Sequence, residues 1–136
     1  MENKDIDTNK LEKVAGGGPG NGRGKGPSPK PGTSEIANRA LAEVNKPYIW
    51  GGVGPDGYDA SGLVSYCISG THTRLGTTDT FMSWSSTDEP APGDICVNSG
   101  HCGIYVGGGQ MVHAPTYGQT ICVGAVQGGM IFVKKP

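Results

Sequence analysis

Tyr48-Ile-Trp-Gly-Gly-Val-Gly-Pro-Asp-Gly-Tyr-Asp-Ala-Ser-Gly-Leu-Val64 is the stretch on which the fold turns. A helix is predicted to begin near Ala60, with Leu63, Val64 and Cys67 facing inward and Gly70 ending it, so Ala60 stands at a helix N-terminus. Upstream, Ser34 is a suitable N-cap, and Ile36, Ala37, Ala40, Leu41 and Val44 form an apolar stripe that stops before Pro47, which predicts a first amphipathic helix. Downstream, residues 71–92 carry a weak pattern in which Phe81, Met82 and Trp84 fit either a short helix or a loop packed on the core. After Pro92-Gly93-Asp94 the character changes to short β-rich runs at 95–98, 101–106, 110–114, 119–123 and 130–134. Helices followed by an antiparallel sheet predict an α+β domain.

The 136 residues have room for one modest core and no second folded domain. A formal net charge of −1 supplies no global field that would draw the chain to nucleic acid or to an anionic membrane, so recognition rests on a local site. No run approaches the length of a transmembrane segment, and the N-terminus lacks the apolar centre of a secretory signal peptide. Cys67, Cys96, Cys102 and Cys122 show no C-x-x-C spacing, so neither a metal site nor any other cofactor is expected. Four small buried thiols are the simpler reading of them, with disulfide pairing left open.

The chemistry hinges on Gly107-Gly108-Gly109. If these form a three-residue hairpin loop, Val106 pairs with Gln110 and Gly103 stands opposite His113. His101 and His113 then share a face as a diagonal pair, roughly 7–8 Å apart at the backbone and within hydrogen-bonding reach, with Cys102 facing away. A two-residue loop would shift the pairing by one and put the imidazoles on opposite faces. A thiol nucleophile needs an imidazole base, and that base needs a polar orienter. His101 suits the first role and His113 the second, while the helix N-terminus at position 60 would lower the pKa of a thiol there. Position 60 is alanine.

The segments PYIWGG, D-x-SGLV, the GD before the first β-rich run, and HCGIYVGGGQMVHAP together resemble the NlpC family of papain-like cell-wall cysteine endopeptidases over about residues 34–134. The resemblance implies a papain-like fold, with helices packed on an antiparallel sheet. It puts the nucleophile at Ala60, the base at His101 and the orienting histidine at His113. It also implies that Tyr48 shapes the oxyanion region and that Asp59 and Ser61 contact the free amino end of a peptidoglycan stem peptide. Cys67 lies seven residues after position 60, about 10 Å along the helix, too far to substitute. Ser61 is displaced around the helix and is far less acidic. His72 reads as a solvated loop residue.

The front end has its own pattern. Ile6, Leu11 and Val14 precede Gly16-Gly17 at positions −12, −7 and −4 from a cut after Gly17, a spacing similar to the double-glycine leader of bacteriocin-type precursors. Residues 1–17 are therefore expected to be a leader, recognised and cleaved by a peptidase-containing ABC transporter. Residues 18–32, rich in Gly and Pro and free of acidic side chains, form a basic linker. Residues 33–136 form the peptidase-like domain.

Taken together, the resemblances imply an exported endopeptidase that cleaves the peptidoglycan stem between the γ-carboxyl of D-glutamate and the diamino acid. Alanine at position 60 makes the chain as written inactive. Loss of one atom with every partner group retained has the character of an engineered replacement. The alternative is a natural pseudoenzyme that binds stem peptides or a partner protein; a non-enzymatic antibacterial peptide fits the length and organisation poorly.

Overall fold

The computed structural model describes residues 34–136. The expected leader, with Ile6, Leu11, Val14, Gly16 and Gly17, and the linker lie outside the described residues.

Helix α1 spans Glu35–Ala42 and helix α2 spans Ala60–Ser69. Ser34 caps α1 by accepting from the Ala37 N–H at 3.3 Å, and its hydroxyl donates to the Pro92 carbonyl, tying the cap to the loop before the sheet. The apolar stripe buries Ala37 and Ala40 completely. Asp59 caps α2 by accepting from the Gly62 N–H at 2.7 Å, and Gly70, at φ 75°, closes it in the left-handed conformation. Leu63, Val64 and Cys67 are fully buried along its inner face. The ambiguous middle stretch contains a short helix, α3, Thr78–Met82, which drives Phe81 into the core with Trp84 edge-on to it at 5.1 Å.

Six strands follow: β1 Ser86–Thr87, β2 Ile95–Val97, β3 Cys102–Gly107, β4 Gln110–His113, β5 Cys122–Ala125 and β6 Ile131–Val133. They form one antiparallel sheet in the order β1-β6-β2-β3-β4-β5. Strand β1 has no counterpart among the expected runs, because two residues are too few to show alternation; it exists through pairing with Phe132 and Val133. Strand β5 begins later than the expected 119–123 run. Residues 119–121 are instead held by the loop after α1: Asn45 N–H donates to the Ile121 carbonyl, Ile121 N–H to Lys46, and Tyr48 N–H to Gln119.

The sheet is covered on both sides. Ile95, Val97, Cys102, Ile104, Val112 and Val133 belong to the main core with α1 and α2, while Cys96, Tyr105 and Met111 pack with Val126, Met130 and Phe132 in a second cluster. Each fully buried aliphatic side chain of this kind contributes about 1.5–3 kcal/mol of transfer free energy.

The β3–β4 hairpin corrects one expectation and preserves its consequence. Gly107 pairs with Gln110, so the connecting turn is the two residues Gly108-Gly109 rather than three. The register then shifts between Tyr105 and Gly107, and beyond that bulge Tyr105 pairs with Met111 and Ile104 with Val112. The extra residue in the bulge cancels the shorter turn, leaving the strand bodies in the pairing expected from a three-residue loop. Glycines 107, 108 and 109 all take positive φ, at 99°, 63° and 76°, which is why the turn needs three glycines although only two bridge it.

Candidate active site

The loop before α2 is clamped to the first turn of that helix. Asp59 N–H donates to the Gly52 carbonyl, Ile49 N–H to the Tyr58 carbonyl, and Tyr58 N–H to Pro47. Tyr58 is fully buried and donates its hydroxyl to Glu43 at 2.7 Å. A side chain at Gly62 would meet the Gly52 carbonyl oxygen at 1.9 Å, so the glycine of the Asp59-to-Gly62 segment is what lets loop and helix touch. His72 is exposed at its surface but is not merely solvated: its ring stacks on Tyr66 at 4.6 Å, and Nδ1 lies 3.0 Å from the Val53 carbonyl oxygen. Position 60 is thus held at a helix N-terminus whose unpaired N–H groups and dipole favour a negative charge. The methyl of Ala60 supplies no donor, acceptor or nucleophile there.

His101 immediately precedes β3, and His113 ends β4. Their rings meet edge-on, with His101 Nε2 2.7 Å from His113 Nδ1. The backbone of His101 is fixed by Asn98, whose side chain accepts from the His101 N–H at 2.8 Å. With His101 Nε2 engaged, Nδ1 is the nitrogen available to a reacting group. For Nδ1 to be basic, Nε2 must carry the hydrogen and donate it to His113 Nδ1, which leaves the His113 hydrogen on Nε2. His113 Nε2 faces the Cys122 sulfur at 3.8 Å, the residue directly across the β4–β5 pair. Burial lowers the His101 pKa. Burial, reinforced by the neighbouring His101, lowers that of His113 to about 4. Both imidazoles are therefore neutral at pH 7, the state that a base and its orienter require.

A second polar cluster flanks position 60. Arg74 donates through Nη1 to the Ser61 hydroxyl at 2.5 Å and through Nη2 to both Asp59 carboxylate oxygens at 3.1 and 3.0 Å. Tyr48 lies within the field of this pair: burial raises its pKa, Asp59 raises it further and Arg74 opposes them. The same fields reach Cys102, next to His101 in the chain. Asp59, Ser61 and Tyr48, expected as binding residues, are thus grouped around a guanidinium that sequence reasoning did not single out. Arg74 lies in the stretch where periodicity is weak, and a basic residue in a loop carries no signal of its own. Cys122 was likewise missed as a neighbour of His113, because the long connection between β4 and β5 hides their pairing from local pattern.

The remaining thiols have no nucleophilic character. Cys67, Cys96 and Cys102 are fully buried. Burial drives the pKa of Cys67 and Cys96 far up and that of Cys102 up to about 12, so none is a thiolate at neutral pH.

Comparison with known proteins gives this arrangement its context. The chain is 34% identical over 95 residues to the probable endopeptidase Rv2190c of Mycobacterium tuberculosis, a match covering 65% of this chain and 25% of that protein. It is 36% identical over 97 residues to the probable peptidoglycan endopeptidase LytE of Bacillus subtilis, covering 65% of this chain and 29% of the relative. The chain therefore spans only about a quarter of the length of these curated relatives. Among solved structures, the NlpC/p60 domain of the peptidoglycan hydrolase SagA superposes with a TM-score of 0.62 at 31% identity, over 74% of this chain and 97% of that domain. A structure of the Resuscitation Promoting Factor Interacting protein RipA superposes at 0.63 with 29% identity, over 74% of this chain and 60% of that one. These likenesses establish the expected α+β, papain-like fold. The NlpC/P60 profile matches residues 45–133, from the loop before α2 to the last strand, and the chain belongs to the NlpC/P60 family.

Proposed function

We propose that residues 33–136 are the catalytic domain of a peptidoglycan endopeptidase that uses a Cys-His-His site to cleave the stem peptide between the γ-carboxyl of D-glutamate and the diamino acid, and that Ala60 disables it. The observation that carries this reading is the 2.7 Å contact between His101 and His113 in a domain whose α2 N-terminus presents position 60. The relatives named as endopeptidases and peptidoglycan hydrolases support the reaction class.

With cysteine at position 60, the thiol proton passes to His101 Nδ1 and the thiolate attacks the γ-carbonyl carbon. The C–N bond breaks as His101 returns the proton to the departing amine of the diamino acid, leaving a thioester. His101 then takes a proton from water, the hydroxide displaces the thiolate, which takes that proton back from His101, and the γ-carboxylic acid leaves and gives its proton to solvent. His113 holds His101 in the reactive tautomer throughout. Tyr48 borders the oxyanion region.

The site as it stands fits an introduced, inactivating replacement. The competing reading, a natural pseudoenzyme that binds stem peptides without cutting, draws on Ala60 itself. Export follows from the leader reading: a peptidase-containing ABC transporter would bind the Ile6, Leu11 and Val14 stripe and cut after Gly17, releasing a secreted enzyme. Mass spectrometry of defined stem muropeptides incubated with residues 18–136 tests the enzymatic reading. Products of D-glutamyl bond cleavage with Ala60→Cys, and none with the unmodified chain, are expected. A folded Ala60→Cys variant that leaves every stem peptide intact would sink it.

A further inference from the structure

Arg74 carries an inference about what this site selects, and the inference rests on the proposed reaction. A subsite for a free amino end needs a carboxylate with charge to spare. Asp59 has none: its oxygens accept from the Gly62 N–H as the helix cap and from Arg74 at 3.0 and 3.1 Å. The Ser61 hydroxyl, the other group expected to meet an ammonium, accepts from the same guanidinium at 2.5 Å. An incoming ammonium would have to displace Arg74 from both partners or sit beside its positive charge.

The guanidinium has the opposite complementarity. It has five N–H donors, and three hydrogen bonds tie it to Asp59 and Ser61, fixing its plane beside position 60 with donors left over. Its side chain keeps 32% of its surface exposed, against 17% for Asp59, so the face that remains open belongs to the cation. In a γ-linked D-glutamyl residue whose γ-carbonyl lies over position 60, the α-carboxyl hangs three carbons away on the same residue. It is the substrate's nearest acidic group, and in peptidoglycan it is either a free carboxylate or an amide.

We propose that Arg74 is a specificity-determining residue that reads the D-glutamyl α-position, accepting the free α-carboxylate and rejecting the α-amide. A carboxylate accepts charge-assisted, paired hydrogen bonds from a guanidinium, whereas a carboxamide offers one neutral acceptor and turns an N–H toward a cation. The free amino end of the stem is not read by Asp59 and Ser61, so acylation of that amine leaves recognition unchanged.

The unmodified Ala60 chain is suited to the test because it lacks the nucleophile, so binding is read without turnover. Isothermal titration with L-Ala-γ-D-Glu-diamino acid tripeptides, in the α-acid and α-amide forms and with a free or acetylated N-terminus, is compared between the unmodified chain, Arg74→Gln and Arg74→Lys. The α-acid is expected to bind at least tenfold more tightly than the amide, with little effect of acetylation. Arg74→Gln should bring the two forms within about twofold, and Arg74→Lys should keep part of the preference. Equal binding of acid and amide, or a strong requirement for the free amine, overturns the proposal; so does absence of binding to any of the four peptides. Melting curves identify a variant that has failed to fold, and the acid-versus-amide ratio of the unmodified chain decides the matter even then. Cleavage of the same peptides by Ala60→Cys tests the reaction separately: cutting without acid-versus-amide discrimination sinks the role of Arg74 alone, and no cutting sinks the reaction.

Discussion

His101 Nε2 and His113 Nδ1 lie 2.7 Å apart, so one of these two nitrogens carries the hydrogen and the other accepts it. On the proposed mechanism, in which His101 is the base and His113 its orienter, His113→Ala in an Ala60→Cys background should lower kcat/KM by about 10²–10³-fold while leaving KM nearly unchanged. Steady-state kinetics on a soluble stem tripeptide checks this. Cys122, 3.8 Å from His113 Nε2, makes a longer and weaker contact. Cys122→Ser in the same background should change kcat/KM by no more than about fivefold, the equivalent of one ordinary net hydrogen bond. A larger loss would make the sulfur a full member of the relay. Among individual residues the histidine pair was legible in the sequence, since two strands and a glycine turn determine whether two imidazoles share a face. Arg74 was not, because its partners Asp59 and Ser61 are reached by a loop whose path is set by packing.

Elements bring these side chains together through close contacts that tolerate little change. Asp59 serves both as the cap of α2 and as the anchor of Arg74. Asparagine preserves the cap and loses only a partly exposed ion pair, so Asp59→Asn should cost less than about 1 kcal/mol, against about 1–2 kcal/mol for Asp59→Ala, by urea denaturation. Gly62→Ala should be the harsher change. Its Cβ would sit 1.9 Å from a backbone oxygen that cannot rotate away, so the loop bearing Tyr48 must move, at about 1–3 kcal/mol. The two main helices were legible because caps and a 3.6-residue stripe are local properties. The hairpin was legible for a partly mistaken reason: the strand bodies have the expected register, but a bulge and a two-residue turn produce it rather than a three-residue loop. Turn length and bulge compensate within one run of glycines, and residue identity alone does not separate the two solutions.

At the scale of the whole molecule, burying the histidine pair makes stability depend on pH. His113 titrates at about 4 in the fold and near its ordinary value when unfolded, so between those values the unfolded chain binds more protons. Its contribution is fully present above about pH 6.5 and is lost as pH falls toward 4, a destabilisation of up to about 3 kcal/mol. Denaturant midpoints measured from pH 7 down to pH 4.5 should fall, and His113→Gln should flatten that part of the profile; an unchanged slope would mean that the imidazole is not buried neutral. The sequence by itself determined the class of the domain, the helix that starts at position 60, the candidate histidines and the absence of a thiol at position 60, because caps, periodicity and residue chemistry act over a few neighbours. Tertiary structure alone decided that residues 119–121 leave the sheet to hold the loop bearing Tyr48, that Cys122 faces His113, and that Arg74 claims Asp59 and Ser61. Each of those contacts joins segments far apart in the chain or separated by irregular loops, and their geometry exists only once the sheet and helices have closed around one core.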